Sequence, residues 1–457
     1  MRFSTSVGLL LLCLFVFTGV AMAASGDTLE KENAELHRRV DNLEKELQEI
    51  KALLTNEATV ASAQKARPQR ELSDAELSRI ASLVRTGSDG KSPVLSSLDM
   101  EVYGYIKLDA SYDTSRSSPG NYVKWVDSEA TNKNDDEFNM TANQTRLGFK
   151  ISGPEDDGLK VSGKVEVDFY EANLCENKAG IMMRHAFMKL DWPQERFNII
   201  AGQTWDVFSP LNPGTLNYSV QWYSGNTGYR RPQIRLTKGF ALGDDVDVTV
   251  AGAVARTIGD SAFMGDDTIT ESGEDSGKPT FQGRAGFTFP SPLGYKKTTV
   301  GVSGHWGEEE FDTSAVGGHS DVESWSVNLD VHQPVNQWLT IKGELFSGAN
   351  MDAYCAGIGQ GINDSGKAIA TKGGWVAASL GPWDKWRFNV GLGIEDVEDN
   401  DVDAGDRTFN RSLFGNVLYD INKNTQVGFE LTQWDTKRKG ESDADNVRGQ
   451  MSLIYKF

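Results

Sequence analysis

From Leu98 to Phe457, apolar and polar side chains alternate with period two in about sixteen segments, the first over 98–112 and the last over 446–457. The connections alternate too. After odd segments they are long, at 113–135, 208–228, 257–278 and 349–371. After even segments they are tight, as at Gly153-Pro154-Glu155-Asp156, Pro193-Gln194-Glu195, Pro382-Trp383-Asp384 and Ile421-Asn422-Lys423. Successive residues of a strand point to opposite faces. Leu159, Val161, Val165, Val167 and Phe169 therefore share one face, and Lys160, Ser162, Lys164, Glu166 and Asp168 the other. The last segment aligns Val447, Gly449, Met451, Leu453, Tyr455 and Phe457 over about 12 residues, whereas strands of soluble proteins usually run about 5 or 6. Long strands joined by alternately short and long connections fit a membrane barrel.

Downstream of the N-terminus no apolar run is long enough for a membrane helix, and mean hydropathy is −0.43. Barrels read this way because only alternate residues face lipid. Lipid supplies no hydrogen bonds, so the strands must pair and the sheet must close. A barrel of about sixteen strands is too wide for side chains to fill, which leaves water inside. The expected fold class is an all-β transmembrane barrel of about 16 antiparallel strands, preceded by an α-helical coiled coil. Trp192, Trp338, Trp375, Trp383 and Tyr455 lie near segment ends, as interfacial aromatic residues should.

Arg2, the apolar run Val7–Val20 and Ala21-Met22-Ala23-Ala24 have the order of a secretory signal peptide, residues 1–23. Leu29, Leu36, Leu43 and Ile50 interleave with Val40, Leu47 and Leu54 at heptad spacing, with Asn33 at the first a position. Charged neighbours flank that seam, so residues 27–55 are expected to form a coiled-coil oligomerisation segment. Residues 56–97 read as a linker. Within it, Ser73 and Glu76 make a capping box for a short helix over Asp74–Arg85. The barrel domain is then 98–457.

The formal net charge of −19 argues against nucleic acid or anionic lipid as a partner. Cys175 and Cys355, both in long connections, are a candidate disulfide in an oxidising compartment. The five histidines, His37, His185, His305, His319 and His332, serve no recognisable nucleophile motif, so neither an enzyme nor a cofactor or metal site is expected.

Several stretches in order resemble the trimeric porins of Gram-negative outer membranes. They are Thr145-Arg146-Leu147-Gly148-Phe149-Lys150, Arg184-His185-Ala186-Phe187-Met188-Lys189-Leu190, Gly202-Gln203-Thr204-Trp205 and the terminal Phe457. With the coil in front, the chain is most similar to the DcaP-like porins. The resemblance implies a homotrimer in the outer membrane, in contact with lipid and lipopolysaccharide. The coil would lie in the periplasm, a candidate for peptidoglycan contact, and Phe457 would be read by the barrel-insertion machinery. It further implies that the connection after the fifth strand, 208–228, folds inward to narrow the pore.

The same resemblance puts Arg146 and Arg184 on the pore wall, and period two puts Arg231, Gln233 and Arg235 on one face with Arg230 opposite. For Arg184 the alternation is ambiguous, because Met182, Met188 and Leu190 share its parity. The expected constriction residues are Arg146, Arg184, Arg231, Arg235, Lys107 and Lys164, facing amides such as Asn212 and Asn217. Glu166 and Asp168 are their counterweight. The expected function is a water-filled channel for passive diffusion of small hydrophilic solutes, with preference for anions and carboxylates. The alternative is a structural outer-membrane anchor or cell-wall tether.

Overall fold

The computed structural model describes residues 98–457 apart from 133, 171–178, 260–271 and 313–318. The signal peptide, coiled coil, linker and Cys175 lie outside the described residues. Sixteen antiparallel strands close into one barrel. In order they are β1 (Asp99–Asp113), β2 (Glu137–Thr141 continued by Arg146–Asp156), β3 (Leu159–Asp168), β4 (Met182–Trp192), β5 (Phe197–Trp205) and β6 (Arg230–Leu242). There follow β7 (Val246–Ala255), β8 (Thr280–Pro290), β9 (Lys297–Asp312), β10 (His319–Pro334) and β11 (Leu339–Ala349). The last are β12 (Ala370–Trp383), β13 (Trp386–Val397), β14 (Arg407–Asp420), β15 (Thr425–Arg438) and β16 (Ala444–Lys456).

Each strand pairs with its sequence neighbours, and β1 closes the ring on β16 from Tyr105↔Lys456 to Asp113↔Arg448. Phe457 extends that seam, since its N–H and carbonyl each bond Gly104 at 3.1 Å. A Cβ on Gly104 would meet the Arg146 carbonyl at 2.2 Å, so the seam needs glycine there.

The alternation sorts side chains by face. On β1, Val102, Ile106, Leu108 and Tyr112 are exposed outward, whereas Lys107, Asp109, Ser111 and Asp113 are buried inside. Val161 and Val165 on β3 and Trp386, Phe388, Val390 and Ile394 on β13 repeat the outward band. An apolar exterior around a polar interior is stable only with lipid outside. Trp338, Trp383, Trp386 and Tyr455 are exposed at the tight-turn end, where an aromatic girdle belongs. Trp375 does not join it. Its parity is that of Thr371 and Ala377, so it points inward and its indole N–H donates to Glu344 at 2.9 Å.

Three further details depart from the sequence expectation. The segment 136–152 is broken at 142–145, where the Thr145 hydroxyl accepts the Lys107 N–H at 3.2 Å. The turn expected at Gly153–Asp156 comes later, at Asp157 and Gly158, both at positive φ. The turn expected at Pro382 likewise falls on Asp384 and Lys385. Both prolines sit at register shifts, Ser152/Glu155 and Leu380/Trp383, where a missing N–H is tolerated.

Candidate functional site: a lumen crossed by two loops

The connection 206–229 leaves β5, turns into the barrel and crosses the lumen. Asp206 anchors its base. The carboxylate accepts the Tyr229 N–H at 2.9 Å, Arg231 Nε at 2.8 Å and Gln282 Nε2 at 2.7 Å. Further along, buried backbone amides of the loop need acceptors, and carboxylates of the far wall supply them. Glu344 on β11 accepts the Leu211 N–H at 2.9 Å. Glu430 on β15 accepts Leu216 at 2.6 Å and Asn217 at 3.1 Å. Gln221 and Ser224 reach the Ser412 hydroxyl on β14 at 3.0 and 2.8 Å. Gly225, at φ 108°, passes so close to β12 that a Cβ would meet the Gly374 carbonyl at 2.1 Å.

The connection 350–369 folds inward as well, and nothing in its sequence pattern announces this. Met351, Tyr354, Ala356 and Ile358 are buried, with Tyr354 against Phe208 and His305. The two loops bond each other, Tyr223 N–H to the Cys355 carbonyl at 2.9 Å and Gly228 N–H to that of Tyr354 at 2.7 Å. Cys355 is buried and forms no disulfide among the described residues.

The expected basic residues all face the interior, but in different states. Arg146, Lys164 and Arg184 gather around Glu166, with nitrogens 3.5, 3.1 and 2.9 Å from its oxygens. Arg184 also bonds Asp168 at 2.6 Å. A register shift in the β3–β4 pairing makes Arg184 the extra residue beside His185. A bulge of this kind turns both side chains inward and explains the ambiguous parity. Arg146 and Lys164 keep 22% and 26% of their side chains exposed to the lumen, whereas Arg184 is buried. Lys107 is also buried, with Nζ 2.8 Å from the Leu216 carbonyl and 3.2 Å from Asp109.

Arg231 is locked: it has no exposed surface, pairs with Asp206 and lies 3.8 Å from the Tyr354 ring centroid. Arg235 bonds Gln233 Oε1 at 2.8 Å and the Trp205 carbonyl. Arg230, expected to face outward, is buried with its guanidinium over the Trp205 and Tyr229 rings. The loop amides are occupied. Asn217 binds both backbone groups of Val123, and Asn212 accepts from Asn226.

Two cavities border the crossing loop. One of about 480 Å³ is lined by Lys107, Thr215, Leu216, Arg387, Asn389 and Lys456 among others. The second, about 280 Å³, includes Asp206, Phe208, Asn212, Arg235 and Arg284. The charged residues lining the pair are thus Lys107, Arg387, Lys456, Arg235 and Arg284 against one carboxylate, Asp206. Arg284 and Arg387 escaped the sequence reading as site residues, although inward parity was legible for Arg387, opposite Trp386 and Phe388. Both are held by acids, Arg284 by Asp330 two strands away on β10 at 2.7 Å and Arg387 by Asp420 on the neighbouring β14 at 2.7 Å.

No protein-family model and no curated relative matches the chain. Solved structures do share the fold. The outer membrane channel DcaP of Acinetobacter baumannii superposes with a TM-score of 0.63 at 18% identity, covering 79% of this chain and 98% of that one. An anion-selective porin from Comamonas acidovorans gives 0.51 at 12% identity, covering 79% and 100%. OmpF of Salmonella typhi, in complex with daunomycin, gives 0.50 at 12% identity, covering 79% and 98%. The chain has the barrel fold of these channels.

Proposed function

We propose that this protein is an outer-membrane porin, a passive channel for small hydrophilic solutes that prefers anions, carboxylates among them. The observation that carries the preference is the lining of the two cavities beside the crossing loop, with its five basic residues and one acid. A passing ion responds to nearby charges, because those beyond about 8–10 Å are largely screened at physiological salt. The net charge of −19 therefore weighs little. Low-dielectric walls focus the field of the few groups at the narrowing. The fold shared with an anion-selective porin accords with this reading, and a homotrimer is part of it.

Within the lumen the basic residues differ in what they can do. Arg146 and Lys164 present partly exposed cations to a solute. Arg184 and Arg231 spend their charge on Glu166, Asp168 and Asp206, and hold the wall and loop in shape. An arginine fork suits a solute carboxylate, giving brief binding along the path. Purified protein added to a planar lipid bilayer should produce discrete, stable current steps. A protein that inserts without conducting would instead be an anchor or tether.

A further inference from the structure

Arg230 differs from the other buried interior arginines. Arg184, Arg231 and Arg448 each meet a carboxylate, Asp168, Asp206 and Asp113 respectively. Arg230 is 2% exposed, and its Nε, Nη1 and Nη2 have no hydrogen-bond partner among the described residues. The guanidinium carbon lies 4.7 Å from the Trp205 ring centroid and 4.5 Å from that of Tyr229. Trp222, on the crossing loop, packs against both rings at 6.2 and 5.4 Å, and its buried indole N–H also lacks an acceptor. One aromatic cluster therefore holds four unanswered donors, three on a cation. Burying an unpaired charge costs several kcal/mol, and ring faces answer only part of that.

We infer that Arg230 and the Trp222 indole form a binding site for a small carboxylate, walled by Trp205, Tyr229 and Tyr218. The inference rests on the reading of the lumen as a solute path. It adds a dedicated site where a carboxylate pauses before the narrowing, apart from the balanced cluster around Glu166. A guanidinium offers a carboxylate two parallel donors, and the indole N–H supplies a third. Trp205 also lines the 280 Å³ cavity, so the cluster borders it.

The test is tryptophan fluorescence of the detergent-solubilised protein, titrated with acetate at constant ionic strength and pH 7. Acetamide, which has the same shape without charge, is the control. Acetate should produce a saturable change and acetamide none. Arg230→Gln should abolish the response, and Trp222→Phe should weaken binding about tenfold, the loss of one hydrogen bond to a charged group. Equal responses to acetate and acetamide in the native protein overturn the inference even if Arg230→Gln fails to fold. So does an unchanged acetate response in folded Arg230→Gln, which would leave water as the occupant. Binding is read without current, so a channel lacking anion preference can still pass this test, and an anion-selective one can fail it.

Discussion

Arg231 and Asp206 form an ion pair with no exposed surface, Nε lying 2.8 Å from Oδ1, at the point where the crossing loop leaves the wall. Asp206→Asn keeps the shape and strands the cation, which costs about 3–5 kcal/mol when one partner of a buried pair is removed. The folded barrel should lose its heat resistance on detergent gels at a clearly lower temperature. Asp206→Asn combined with Arg231→Gln should recover part of the loss. A single variant as heat-resistant as the native protein would mean that the pair does not hold the loop.

Glu430 holds the middle of the same loop through the Leu216 and Asn217 amides and is itself held by Asn416 at 2.8 Å. Glu430→Ala leaves those amides without their acceptor, at about 1–3 kcal/mol for each buried group. Single-channel recordings should then show larger current fluctuations, with Glu430→Gln intermediate because one oxygen remains. Quiet, native-like currents in the alanine variant would contradict the tether.

Phe457 closes the last rung between β16 and β1 through its two bonds to Gly104. Deleting it removes both bonds at the seam. The fraction of heat-modifiable, folded protein recovered from outer membranes should fall several-fold. Normal recovery would show that neither closure nor insertion depends on this residue.

Burial pushes the Cys355 thiol up to about 12, although a bond with Tyr223 and the nearby Lys124 pull the other way. Only thiolate reacts with alkylating reagents. At pH 8 the folded protein should therefore leave Cys355 unmodified, and denaturation without reductant should expose it to labelling, as peptide mass spectrometry can read. Failure to label after denaturation would reveal a disulfide, for which Cys175 is the candidate partner.

The strand count was legible because each strand carries its own two-residue signal and the tight turns punctuate it. The segment expected over 385–397 is strand Trp386–Val397. What alternation cannot show is a slip by one residue, which moves later side chains to the other face. The bulge at Arg184 is such a slip, and so are the shifts beside Pro154 and Pro382. Loop residues carry no period at all. Thus Tyr354 and Met351, which pack with Phe208 inside the barrel, read as ordinary surface-loop residues. Arg230 was assigned outward by strict parity, yet it opens β6, where the chain emerges from the crossing loop and the aromatic rings draw it in. That Arg231 and Arg235 share an inward face was readable. Which cations are spent on carboxylates was not, because those partnerships depend on register.

On the proposed function, the lumen and not the acidic whole sets ion preference. The direct measurement is the zero-current potential of the purified native protein in a planar bilayer under a tenfold potassium chloride gradient. The expected sign is that of chloride preference, reduced by Arg146→Ala combined with Lys164→Ala, the partly exposed cations of the β2–β4 wall. A potential of the opposite sign in the native protein, showing potassium preference, would contradict it.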